Sequence, residues 1–228
     1  MAEIHDGWKR DFDVYDRIKE LGIDLGAKED AVPAAKGRRI AMVTFTPSGL
    51  VFTSGTGGGT GPVTNDDGDV QDGFAAGQEA GHNHIRSLHW GLDPYGTLND
   101  VWYCVKCIGM VNSAGGGAFS KSPAVVDGYS NVWHDVFGGP MSRWADDGLD
   151  SSLAGWHTRS AVAGFDLPGH CKIEPEMIVQ VDPDLSLESS RKEAPISRAT
   201  RQADGEVQSP PSQMREGGDS VYLLIIKI

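Results

Sequence analysis

Arg159, Glu174 and Glu176 are the residues of this chain whose types and spacing best suit chemistry on a small molecule. They fall within WHTRSAVAGFDLPGHCKIEPEMIVQV, residues 156–181. A planar guanidinium holds a carboxylate through two parallel hydrogen bonds, which a lysine cannot do. A carboxylate can orient or deprotonate a water. Thr158 to Phe165, the punctuation Asp166-Leu167-Pro168-Gly169 and Lys172 to Val181 read as two strands joined by a short turn, a closing hairpin. Side chains alternate along a strand, so Glu174 and Glu176 share a face. Pro175 between them lacks a ladder donor, which predicts a bulge or an edge position there.

Other chemistry-bearing residues read as structural. His82 and His89 lie seven apart on one helical face, while His82 and His84 diverge by about 200°, a poor chelate for zinc. A solvated helical face is the expected setting of all three. Cys104 and Cys107 spell C-x-x-C inside a strand, where residues three apart point to opposite faces, so neither a redox nor a zinc pair is expected. The run Gly57-Gly58-Gly59 with Gly61 follows a strand without opening promptly onto a helix, unlike a phosphate loop. It reads as a flexible lip of the site. No metal or cofactor is expected.

The chain has 228 residues, which suits one domain with extensions. A net charge of −12 argues against a nucleic-acid partner, because such binding needs clustered Lys and Arg. No apolar run approaches the roughly 18 residues of a membrane span. The segment MAEIHDGWKRDFD lacks the apolar core of a signal peptide, and three cysteines fit a reducing compartment, so a cytoplasmic location is expected.

The elements that must position these residues follow from periodicity. Phe12, Tyr15, Ile18 and Leu21 mark a helix over Asp11 to Leu21, within a helical extension spanning residues 1–35. Ile40 to Phe45 and Leu50 to Thr53 predict strands around the turn Thr46-Pro47-Ser48-Gly49. Gly55 to Asp72 reads as a loop, Phe74 to Leu92 as a helix and Val101 to Val111 as a strand. Another helix carries Val125, Tyr129, Val132 and Val136 on its buried stripe. The order β-β-α-β-α-β-β predicts an α+β domain over residues 36–182, with two helices on one face of a mixed sheet. Residues 183–228 form a Ser-, Pro-, Glu- and Arg-rich tail, expected to be mostly disordered, with an apolar end, VYLLIIKI.

The pattern R-S-x-V from Arg159, L-P at Leu167, and K-I-E ending at Glu174 resembles the closing signature of the RidA/YjgF family, also called the L-PSP endoribonuclease family. DRIKELGI, LVFTSG, GMVNSA and VVDGYSNVWHDVFG extend the resemblance from about Tyr15 to Val181, nearest the YjgF-like branch. It implies a chorismate-mutase-like fold, a homotrimer with sites between subunits and cofactor-free hydrolysis of a small carboxylate-bearing imine or enamine. Arg159 would hold the carboxylate and Glu174 would place the attacking water.

Asp127 lies near a pocket asparagine of short family members, and Trp144 and Trp156 either pack in the core or wall the substrate pocket. Departures are Ala161, where short members commonly have cysteine, and Ala35 to Arg39, where they have a tyrosine-bearing G-x-Y motif. Two alternatives stand beside the deaminase: a non-catalytic small-molecule-binding trimer, and a pathway-specific hydrolase with an altered substrate.

Overall fold

A computed structural model describes residues 12–31, 40–114, 118–138, 155–164, 166–183 and 185. The chain first forms helix α1 (Val14–Glu20), whose leading N–H groups are capped by the Asp13 carboxylate, and a single turn, α2 (Lys28–Ala31). Strands β1 (Val43–Phe45) and β2 (Leu50–Thr53) make a hairpin around Gly49, whose φ of +82° suits glycine. Helix α3 (Asp67–Leu92), strand β3 (Val101–Asn112), helix α4 (Ser122–Phe137) and strands β4 (Thr158–Gly164) and β5 (Ile173–Val181) complete the expected order.

Helix α3 starts well before Phe74, taking Asp67 to Asp72 from the expected loop. Asp66 accepts from the Gly68 N–H, and Asp67 and Asp69 sit in the first turn, where the positive end of the helix favours carboxylates. These polar residues carry no apolar periodicity, so the stripe from Phe74 onward showed only the buried part.

The strands form one sheet in the order β1-β2-β5-β3-β4, antiparallel except for the parallel β3–β4 pair. Along β5, Ile173, Pro175, Met177, Val179 and Val181 are buried, whereas Glu174, Glu176, Ile178 and Gln180 alternate to the other face. The buried face packs beneath α3 and α4, where Ile85, Leu88, Tyr129, Trp133 and Phe137 join the same core as Val14 and Ile18 of α1. The two helices approach at glycines: a Cβ on Gly77 would stand 2.7 Å from the Val125 carbonyl, and one on Gly128 would overlap that of Phe74.

Three expectations need correction. The closing hairpin does not form, because β3 lies between β4 and β5. Helix α4 carries the chain over the sheet, so β4 docks parallel to β3 as a crossover unit. The link to β5 then wraps the end of β3, where Asn112 bonds the carbonyls of Cys171 and Lys172 and Ser113 bonds that of Gly164.

Pro175 sits neither in a bulge nor on an edge strand. Register with β3 runs unbroken from Ile173 to Ile178, and the Pro175 carbonyl accepts from Thr56 beyond the end of β2. The missing N–H faces that loop, so no bond to β3 is lost. Cys104 and Cys107 do not face opposite ways. A register shift between Cys104 and Lys106 turns both into the core, neither of them in a disulfide.

Candidate functional site

Asp127, Ser130 and His134 are spaced three and four apart, so they line one face of α4 above strand β4. Arg159 pairs with Cys107 in the parallel register and points the same way, toward the helices. Its Nη2 lies 2.6 Å from Asp127 Oδ1, and its Nη1 donates to Ser130 Oγ at 3.1 Å. Ser130 Oγ also meets His157 Nε2 at 3.0 Å, while His157 Nδ1 faces the Gly155 carbonyl at 3.2 Å. A carbonyl only accepts, so this network assigns the proton to Nδ1 and leaves Nε2 to accept from Ser130. Burial, and then His134 beside it, holds the His157 pKa down at about 4. Trp156 stacks on His134 at 5.1 Å with 46% of its surface exposed, so it lies at the surface beside this network instead of filling the core.

Beneath Arg159, burial pushes the Cys107 thiol up to about 12, which removes it as a thiolate nucleophile.

Glu174 is elsewhere. It shares the open face of the sheet with Met110, its partner on β3, whereas Arg159 shares the helix side with Cys107. Three residues along the strands and two strands across, the two Cα atoms of one chain are roughly 14 Å apart by standard strand spacings. The glycine-rich segment lies against Glu174. A Cβ on Gly55 would meet its Oε1 at 2.7 Å, and Thr56 and Gly58 bond the β5 backbone. The expected lip of the site is therefore fastened to β5 at these points. Glu176 is on the same face and exposed.

Of the residues singled out from sequence, Arg159, Asp127 and Trp156 come together and Glu174 does not join them. Trp144 lies outside the described residues. Ser130 and His157 were missed, although both carried a signal. Ser130 is one helical step from Asp127, and His157 is two residues before Arg159, the spacing that shares a strand face.

A second histidine network lies deeper, and it corrects the expected solvated setting of His84. That residue is fully buried, with Nδ1 2.8 Å from Tyr129 Oη and Nε2 2.5 Å from Thr53 Oγ1. Thr53 Oγ1 donates to the Met177 carbonyl and accepts from its N–H, fastening β2 to β5. The Thr53 proton is thus used, so His84 Nε2 donates and Nδ1 accepts from Tyr129. Burial lowers the His84 pKa to about 3. Among the described residues no group of three or more His, Cys, Asp or Glu could hold a metal ion, and no helix is long and apolar enough to cross a membrane.

No family model and no curated protein matches the chain. Solved structures do. A protein of unknown function from Agrobacterium tumefaciens matches with TM-score 0.56 and 24% identity, over 74% of this chain and 92% of that one. A candidate endoribonuclease from Shewanella oneidensis matches with TM-score 0.57 and 19% identity, over 75% of this chain and all of that one. The YjgF gene product of E. coli is matched more loosely, with TM-score 0.39 and 18% identity, over 68% of this chain and 96% of that one. With its α+β order and its mixed sheet, the chain shares the fold of the Agrobacterium and Shewanella structures, an α+β fold of the chorismate-mutase-like type.

Proposed function

We propose that this chain is a cofactor-free hydrolytic deaminase acting on a small carboxylate-bearing imine or enamine and releasing ammonia. The observation that carries the reading is Arg159, a guanidinium fixed by Ser130 on an edge strand of the described sheet, with 27% of its side chain open to solvent. Such a group suits a substrate carboxylate. Water adds to the C=N carbon, the π pair moves to nitrogen, and the carbinolamine collapses to a 2-keto acid and ammonia. Glu174 orients the water and takes its proton, which then passes to the nitrogen that leaves as ammonia. Imines are already electrophilic, so positioning and one base, the latter typically worth about 10²–10⁴-fold, are enough.

Because Arg159 and Glu174 lie on opposite faces of one sheet, the reading includes a homotrimer in which Glu174 of one copy meets Arg159 of the next. Supporting it, the open face that holds Glu174 also carries the exposed apolar side chains Phe52, Ile108 and Val162.

One observation favours a second reading, a non-catalytic small-molecule-binding trimer. Asp127 already occupies the guanidinium, so a ligand must displace it. Steady-state ammonia release from 2-iminobutyrate, generated in situ by an amino-acid oxidase, separates the two. Release above the spontaneous rate is expected, and saturable binding without release would establish the binder instead.

A further inference from the structure

Arg159 and Asp127 together carry no net charge, and their ion pair runs from Nη2 to Oδ1 at 2.6 Å. A ligand bearing only a carboxylate meets a neutral pair and must push away a second carboxylate to reach the guanidinium. A ligand with a cation beside its carboxylate finds a partner for each charge.

The surroundings are built for such an exchange. The guanidinium is held at a second point that does not involve Asp127, through Nη1 to Ser130 Oγ at 3.1 Å. Ser130 is only 5% exposed and is itself tied to His157 at 3.0 Å, whose other ring nitrogen is tied to the Gly155 carbonyl. The Asp127 side chain is 51% exposed. The buried contact therefore fixes the arginine, while the contact at the solvent can open, since an exposed ion pair holds weakly.

We propose that Asp127 determines the specificity of this site and that its ligand is a zwitterion: a carboxylate on Arg159 and a protonated nitrogen on the adjoining carbon, an α-iminium or α-ammonium acid, on Asp127. The inference rests on the reading of Arg159 as a carboxylate clamp. It also gives Asp127 a role in the reaction. Holding the N–H of the iminium keeps the C=N bond in its more electrophilic, protonated form. When water adds, the π pair discharges the nitrogen and the surplus water proton passes to Glu174.

The test is calorimetric titration of the full chain with L-alanine and L-lactate, which differ only in an ammonium against a hydroxyl. Wild type is expected to prefer alanine at least tenfold. Asp127→Asn, with Asp127→Ser as a second variant, should weaken alanine about tenfold and tighten lactate, reversing the order. Arg159→Ala should bind neither. An unchanged alanine-to-lactate ratio in folded Asp127 variants overturns the proposal, as does wild type that prefers lactate or binds neither ligand at millimolar concentration. Ammonia release from 2-iminobutyrate is followed in parallel. Alanine preference without release overturns the deaminase reading alone, and release with an unaltered ratio overturns this proposal alone.

Discussion

Tyr129 and Ser130 are neighbours on α4, and each hydroxyl hydrogen-bonds a histidine, yet the two networks have opposite characters. Successive helical positions diverge by about 100°, so Tyr129 points into the core and Ser130 toward β4. The Tyr129–His84–Thr53 chain ends on the Met177 backbone and is sealed, every member anchored to sheet or helix. The Ser130–His157 pair ends on Arg159, whose remaining partner, Asp127, stands half in solvent. The same donor–acceptor chemistry thus braces the fold where burial is complete and poises a charged group where it is partial. A buried polar group left without its partner costs the desolvation of that group, whereas one at the rim can turn to water.

The largest expected effect is on the sealed side. His84→Ala strands the Tyr129 hydroxyl and opens a cavity, and should cost about 3–5 kcal/mol in urea unfolding. A loss below about 1 kcal/mol would mean that His84 does not brace the core. On the rim side, Arg159→Ala should leave the fold and oligomeric state intact and remove about 2–4 kcal/mol of transition-state binding, roughly 30- to 1000-fold in kcat/KM on 2-iminobutyrate. Arg159→Lys should rescue little, because lysine lacks the fork. Wild-type-like turnover by the folded alanine variant would remove Arg159 from the site.

The two histidines also predict acid sensitivity. Both are held neutral by burial, with pKa values lowered from 6.5 to about 3 for His84 and about 4 for His157. The folded state then binds fewer protons than the unfolded chain, so stability is full above about pH 6.5 and falls with decreasing pH. The fall is at most about 1.4 kcal/mol per pH unit for each histidine. Urea midpoints between pH 7 and 4.5 should show it, and His157→Asn should flatten part of the slope while leaving the His84 share. A slope unchanged by that variant would show that His157 is not buried as described. The smallest effect is that of Ser130→Ala, about 1 kcal/mol of stability or less. It should raise KM more than it lowers kcat, since it frees Arg159 without removing its charge. The opposite split would argue against Ser130 as the anchor of the guanidinium.

Much of this molecule was readable in the chain. Alternation in IVQV and the stripe Val125, Tyr129, Val132 and Val136 report burial, and burial follows local periodicity. The order of elements and the pairing of β1 with β2 are local in the same sense, as is the shared face of Glu174 and Glu176. Arg159 and Asp127 were both singled out from the chain, and the fold brings them together as an ion pair.

Strand partners were not readable for β4, because Thr158–Gly164 has the same composition whether it pairs with β5 or with β3. The crossover of α4 and the capping of the β3 end by Asn112 and Ser113 settle it, and with it the side of the sheet on which Arg159 stands relative to Glu174. A single register shift in β3 likewise overrode the alternation rule and turned Cys104 and Cys107 the same way. Local pattern determines which residues are buried and in what order the elements come. Which buried groups meet depends on register and crossover, and those are settled only when distant segments compete for one sheet edge.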